Sequence, residues 1–209
     1  MFKKFGIGLL GVTIVAVGLI WYQKQANAIP LPEKNGGTAQ VLINKTDQPK
    51  AIKIKQTGYY DVETVSGTED IVAIGAPRVG QTVVAEYFEK GDTLTLEVAG
   101  EIRVAPAKLT VFSGDKIKLD NYGTYYVGSQ IPAGTYQVTY EGELTDAGLK
   151  DGETGSISLN IKQLGAADDQ MNSIKLTQKI RKKELTVKKN DILTLKSNSD
   201  VSVLLSRVK

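Results

Sequence analysis

Residues 122–141, YGTYYVGSQIPAGTYQVTYE, set the reading of the whole chain. Two alternating runs, Thr124 to Val127 and Thr135 to Tyr140, flank a break made of Gly128, Ser129, Pro132 and Gly134. Short β-branched and aromatic runs around Gly and Pro are the composition of strand, tight turn and strand. Side chains along a strand alternate between its two faces, so Tyr136, Val138 and Tyr140 share one face and Thr135, Gln137 and Thr139 the other. The first face packs and the second meets water.

Working outward, most of the chain after residue 38 repeats this texture. Runs rich in Val, Ile, Thr and Tyr are broken every 8 to 12 residues by Gly, Pro, Asn or Asp. The pattern predicts strands at 40–44, 51–55, 59–64, 70–74, 82–88, 93–98, 102–104, 109–112, 116–119, 124–127, 135–140, 156–161, 173–176, 184–187, 192–196 and 201–205. Many short, evenly spaced strands point to sandwiches or rolls rather than βα units. No stretch past the N-terminus keeps a 3.6-residue apolar period for three turns, so helix is expected only at the start.

A small motif recurs three times: Phe88 with Gly91, Asp92, Leu94 and Leu96; Val111 with Gly114, Asp115, Ile117 and Leu119; Val187 with Asn190, Asp191, Leu193 and Leu195. Gly-Asp and Asn-Asp tolerate positive φ, so each copy reads as a hairpin or corner leading into a strand whose apolar residues face inward. The first and last copies match without a gap at an offset of 99 residues, and Ile52 and Ile54 echo Tyr136 and Val138 at an offset near 83. The expectation is an all-β protein of two related small β-sandwich or roll domains, 38–106 and 107–209, after an N-terminal hydrophobic helix.

The N-terminus has the parts of a secretory leader: Lys3 and Lys4, an uncharged apolar run from Phe5 to Tyr22, and the small residues Ala26 and Ala28 at a cleavage site. Residues 1–28 therefore read as a signal peptide or a signal anchor. The 18-residue run, at about 1.5 Å per residue, is just long enough to cross a bilayer core, so cleavage and retention both stay open. Residues 29–37, with Pro30, Pro32, Gly36 and Gly37, read as a linker. The expected location is extracellular or at the cell surface, secreted or anchored.

Tyr125, Val127, Gly128 and the run Ile131, Pro132, Ala133, Gly134, Thr135, Tyr136, with the late Val187, Lys188, Lys189, Asn190 and Asp191, resemble small exported cell-envelope proteins of Gram-positive bacteria. Those carry Y-x-V-G-x-D-I-P-A-G-x-Y early and a K-K-G-D-x-L-x-L turn near the end. Gln130 and Asn190 depart from that pattern, which has Asp and Gly there. The resemblance implies an envelope β domain and brings no catalytic residue.

The chain holds 26 Lys+Arg and 23 Asp+Glu; Lys3, Lys4 and Lys24 lie in the leader, so the remainder is balanced and gives no reason to expect a nucleic-acid partner. It contains no Cys and no His, which removes disulfides, thiol catalysis, most triads and most zinc sites. A Ser-Lys dyad fails at its motif, since Met171 is not followed by the expected Pro. No enzyme, metal or cofactor is expected. Asp146, Asp151, Glu153, Asp168 and Asp169 fit no Ca²⁺ loop spacing and read as solvated loops.

Charge is uneven, with ten basic against three acidic residues from Ile174 onward. The candidate contact residues are Lys179, Arg181, Lys182, Lys183, Lys188 and Lys189, facing an anionic envelope polymer, a membrane surface or a partner surface protein. The bland alternative is an edge strand kept single by charge. Tyr125 and Tyr126 point to opposite faces, so at most one is expected in a core, and Tyr126 is the candidate for an exposed ring that stacks on sugar. The first functional reading is a non-enzymatic binding or structural module. The alternatives are a carboxylate-based wall-glycan hydrolase and a strand-donating subunit of a surface assembly.

Overall fold

A computed structural model describes residues 35–67, 71–72, 79–145, 155–163, 170–197 and 199–208, with 71–72 in backbone only. The leader expected over 1–28 and the acidic loop residues Asp146, Asp151, Glu153, Asp168 and Asp169 lie outside them. Among the described residues no helix is long and apolar enough to cross a membrane.

The described chain is all β, with strands β1 (Gln40–Asn44), β2 (Lys50–Lys53), β3 (Gly58–Gly67), β4 (Ile71–Val72), β5 (Thr82–Phe88), β6 (Thr93–Leu96), β7 (Gly100–Pro106), β8 (Lys116–Leu119), β9 (Tyr122–Tyr126), β10 (Gly134–Gly142), β11 (Ser156–Gln163), β12 (Asn172–Thr177), β13 (Lys183–Val187), β14 (Asp191–Ser197) and β15 (Val201–Arg207). An eight-stranded sheet, ordered β1-β7-β3-β5-β9-β14-β11-β12, runs through both halves of the chain. A three-stranded sheet, β2-β6-β4, serves the first half, and a four-stranded sheet, β13-β10-β15-β8, serves the second.

Alternation produces two inner cores. In the first, Leu42, Tyr60, Val62, Phe88, Ile102 and Val104 from the large sheet meet Ile54, Leu94 and Leu96. In the second, Tyr125, Leu193, Leu195, Ile157, Leu159 and Leu176 meet Tyr136, Val138, Leu185, Val203 and Leu205. The faces read from the opening stretch hold: Tyr136, Val138 and Tyr140 are buried, and Gln137 is exposed.

The turn between β9 and β10 is a corner rather than a hairpin, because the two strands belong to different sheets. Gly128 N–H donates to the Ile131 carbonyl (2.7 Å) and Gln130 N–H to Tyr126 (2.8 Å). The buried Gln130 side chain fills the corner, its Oε1 accepting from Tyr126 N–H (3.1 Å) and its Nε2 donating to the Thr110 carbonyl (3.3 Å). The late Asn190 turn docks here as well: Val127 N–H donates to Asp191 (2.9 Å) and Asn190 N–H to Val127 (3.0 Å). The two stretches 125–136 and 187–191, far apart in sequence, therefore meet in one hydrogen-bonded node.

Tyrosine also caps its own strands. The hydroxyls of Tyr60, Tyr125 and Tyr136 each donate to the carbonyl four residues upstream, of Gln56, Asn121 and Pro132, all at 2.6 Å. This is how a large ring is buried without orphaning its polar tip.

One expected strand is absent. Residues 109–112 form a link between the halves, with Leu109 at φ 32° and Val111 72% exposed. Leu109, a non-glycine residue at positive φ, turns the chain aside, and residues 109–112 join no sheet among the described residues. The link is tied to both sides, Ala107 N–H to the Tyr59 carbonyl (2.9 Å) and Phe112 N–H to the Gln130 carbonyl (2.8 Å). Of the expected linker 29–37, residues 35–37 are described and are docked: Asn35 Nδ2 donates to the Tyr59 carbonyl (2.6 Å) and its Oδ1 accepts from Tyr59 N–H (3.1 Å).

The internal echo is clearest at its turns. Gly91 and Asn190 both sit at positive φ, Asp92 Oδ2 accepts from Glu89 N–H (2.8 Å), and Asp191 Oδ2 accepts from Lys188 N–H (2.7 Å). The strands after these turns differ in placement. β6 pairs with β2 and β4 in a small sheet, whereas β14 pairs with β9 and β11 in the large one.

Candidate functional site

The basic residues singled out in the sequence do not form one patch. Lys179, Arg181 and Lys182 lie on the link from β12 to β13, Lys183 begins β13, and Lys188 and Lys189 stand at its far end; all are exposed. At about 3.3 Å per residue, Lys183 and Lys189 are ~20 Å apart along the strand. β13 is an edge strand of its sheet, the setting in which charge discourages pairing with other chains. Arg181 is further committed, its guanidinium carbon 4.8 Å from the centre of the Tyr140 ring. Lys188 and Lys189 belong to the turn docked on the β9–β10 corner.

Tyr126 is not the exposed ring the alternation suggested. Tyr125 and Tyr126 do face opposite sides of the large sheet, yet both are buried, 4% and 8% exposed. Tyr125 belongs to the second inner core, and Tyr126 to a third cluster with Tyr59, Ala85 and Ala107. The expectation of one core tyrosine fails because the outer face of this sheet is itself covered where the halves join.

That junction is built around β5. Strands β5 and β9 pair in parallel at just two positions, Val83 with Tyr122 and Val84 with Gly123. Gly123, at φ +111°, lets the backbones touch, since a Cβ there would stand 2.3 Å from the Val84 carbonyl oxygen. The next residue along β5, Ala85, has φ 54°, and the β3–β5 register slips there. An extra residue in one strand of a ladder is a bulge, which bends that strand and re-aims its side chains. Asp61 holds it, Oδ1 accepting from Ala85 N–H (3.0 Å) and Oδ2 from Lys108 N–H (3.2 Å).

Where the parallel pairing ends, a groove of about 370 Å³ opens on the outer face. Its aromatic wall is Tyr59, Tyr87 and Tyr126. Tyr59 and Tyr87 are 5.2 Å apart between ring centres at 53°, and Tyr59 and Tyr126 are 5.5 Å apart, edge to face at 83°. Polar groups complete it: Glu86, Glu89 and Asp92 from the first half, Thr124, Lys162 and Thr194 from the second. Thr124 Oγ1 donates to Glu86 Oε1 at 3.5 Å.

Burial pushes the Glu86 carboxyl above the ordinary carboxylate range, with Lys196 and the Thr124 hydroxyl pulling partly back. Burial also raises the phenol of Tyr59, and its hydrogen bond with Tyr126 offsets part of that. Tyr126 is raised by burial first and then by Tyr59, far above any pH at which proteins operate, so its hydroxyl is purely a hydrogen-bonding group. An apolar concavity with a few converging polar groups and a perturbed acid is the usual form of a small-molecule site.

Sequence reasoning missed Glu86 and Tyr87. A signal was present: β5 reads Thr82, Val83, Val84, Ala85, Glu86, Tyr87, Phe88, with apolar neighbours side by side at 83–84 and 87–88. That break in period-2 alternation marks a bulge. Among the described residues no cluster of three or more acidic side chains is placed to hold a metal ion.

No family model matches the chain, and no curated protein matches it. Among solved structures, the crystal structure of the stem and receptor binding domain of the spike protein P1 from bacteriophage PM2 covers 86% of this chain and 81% of its own at 11% identity. Its TM-score of 0.16 carries no argument about fold or function.

Proposed function

We propose that this protein is a non-enzymatic, exported module of a Gram-positive cell envelope, and that it binds a sugar-containing polymer in the groove between its two halves. The observation that carries the reading is the groove itself: three tyrosines against a half-buried Glu86, with Thr124 and Thr194 as hydroxyl partners. The half-buried Tyr87 ring, backed by the buried Tyr59 and Tyr126 and flanked by hydroxyls and a carboxylate, suits a sugar ring, which offers C–H bonds on its faces and O–H groups at its edge. The leader-like residues 1–28 and the envelope-protein motif support export and location. On this reading the halves are two related sandwich units, supported by the shared turn geometry at Asp92 and Asp191.

A second reading, a glycan hydrolase, is favoured by one observation: Glu86 is held toward its protonated form, as a general acid requires. Against it, Asp92 is already engaged as the acceptor of its own turn. The two separate in one experiment. Oligosaccharides released from purified wall are titrated into the protein by NMR, and the mixture is then checked for cleavage. Binding without products, weakened several-fold by Tyr87→Ala, is the expected result. Products that vanish in Glu86→Gln would establish the hydrolase, and absence of binding by folded protein would overturn both.

A further inference from the structure

We infer that the polymer carries phosphodiester groups and that these lie on the outer face of the large sheet beside the groove, gripped by Lys175 and Lys196; the identification of the polymer rests on the reading above. The register fixes the arrangement. Ser158 of β11 is paired on one side with Lys175 of β12 and on the other with Lys196 of β14, and two residues on, Asn160 is paired with Ser173 and Thr194. Neighbouring strands lie about 4.8 Å apart, so the two lysines stand about 10 Å apart across Ser158, with the second polar row about 7 Å away. That second row continues through the pairing of Thr194 with Thr124 into the groove, which both threonines line.

This face differs from the others in leaving its cations unpaired. On the four-stranded sheet Lys118 is shared by Asp120 (3.5 Å) and Glu141 (3.2 Å), and on the first-half end of the large sheet Arg103 lies between Glu63 (3.9 Å) and Glu101 (3.4 Å). None of the six side chains in the two rows makes a hydrogen bond or ion pair among the described residues. The outward positions of β9, β11, β12 and β14 carry no acid. At the far end of the second row Glu86 faces Thr124, and burial holds it toward its protonated form. Lys175 and Lys196 are exposed, while Ser158, Asn160 and Thr194 are half-buried between them and the groove. A phosphodiester brings one charge and unshared oxygens at each repeat; an ammonium meets it as a point charge, and hydroxyls and amides donate to what remains. A carboxylate polymer is better served by the planar fork of arginine, which these outward positions lack. A phospholipid surface would share the phosphate but would find no exposed large apolar side chain on them to insert.

The test is a calorimetric titration of the purified full-length protein with a glycerol-phosphate hexamer, a galacturonate hexamer and phosphatidylglycerol vesicles at one ionic strength. The phosphate oligomer should bind more tightly than galacturonate, and its binding should weaken as salt is raised. Lys175→Gln and Lys196→Gln should each weaken it about threefold, and together about tenfold. The same loss of charge near β13, Lys182→Gln with Lys183→Gln, should leave it unchanged. An equal loss in that control overturns the face, because net charge would then suffice. Equal or tighter binding of galacturonate overturns the phosphate, and vesicle binding lost in the Lys175 and Lys196 variants, with none to the oligomer, overturns the polymer in favour of a membrane. Tyr87→Ala separates this inference from the groove: it should weaken wall oligosaccharides and spare glycerol phosphate. If it spares both, the groove reading falls while the phosphate face stands, and protein that binds wall oligosaccharides but not glycerol phosphate overturns the phosphate face alone.

Discussion

Replacing Gly123 by Ala should loosen the join between the two halves, and the structure allows the cost to be worked out. The residue sits at φ +111°, a conformation that costs a side-chain-bearing residue about 1–3 kcal/mol. Its new Cβ would stand 2.3 Å from the Val84 oxygen, where ordinary contact begins near 3.4 Å, so β5 and β9 must part by roughly 1.1 Å. Because the parallel ladder is only two residue pairs long, that displacement ruptures it, at about 1 kcal/mol net per lost hydrogen bond. The total is about 3–5 kcal/mol, a large share of the ~5–15 kcal/mol that holds a typical domain folded.

Urea denaturation followed by far-UV circular dichroism should show the midpoint falling by roughly 2 M at a slope of ~2 kcal/mol/M. Amide exchange should show protection lost first at residues 83–84 and 122–124. The control is Gly114→Ala. That glycine also has positive φ, +91°, but nothing lies within 4 Å of its added Cβ, so only the backbone cost remains. If the two variants shift the midpoint equally, the close approach of β5 and β9 is not what Gly123 serves, and the account of the junction is wrong.

Two further outcomes concern buried polar groups. Tyr136→Phe removes a hydroxyl that donates to the Pro132 carbonyl and nothing else of the ring; it should cost about 0.5–1.5 kcal/mol, read as a fall of a few degrees in Tm, and an unchanged Tm would dismiss the capping role. Glu86 titrates higher folded than unfolded because burial disfavours its charge, so the native state holds the extra proton between its ordinary value near 4.5 and the raised one. Stability should therefore decline as pH rises through that window, and Glu86→Gln should flatten the decline and be the more stable at neutral pH; a parallel pH profile for both proteins would contradict it.

Local pattern carries a great deal. The bounds of β5, 82–88, are legible in its composition, and the inward set Tyr136, Val138 and Tyr140 is legible from spacing alone, because a period of two decides which face a side chain takes. The edge character of β13 is also foreshadowed by its lysines. Residues 109–112 mislead because their composition suits a strand, while the tether at Gln130 and the positive φ at Leu109 come from the rest of the molecule.

What residue order alone determined is that the chain forms short strands with one oily face, interrupted at Gly, Asn and Asp, and that it has no thiol or imidazole for chemistry. Tertiary structure decided the partners: that β5 meets β9 in parallel, that Tyr126 is covered by Tyr59, and that Glu86 stands in a groove with Lys162. The physical reason is reach. Alternation is settled between adjacent residues, whereas pairing depends on which distant edges the whole fold leaves open, and many short Thr, Val and Leu strands are nearly interchangeable until the cores are closed.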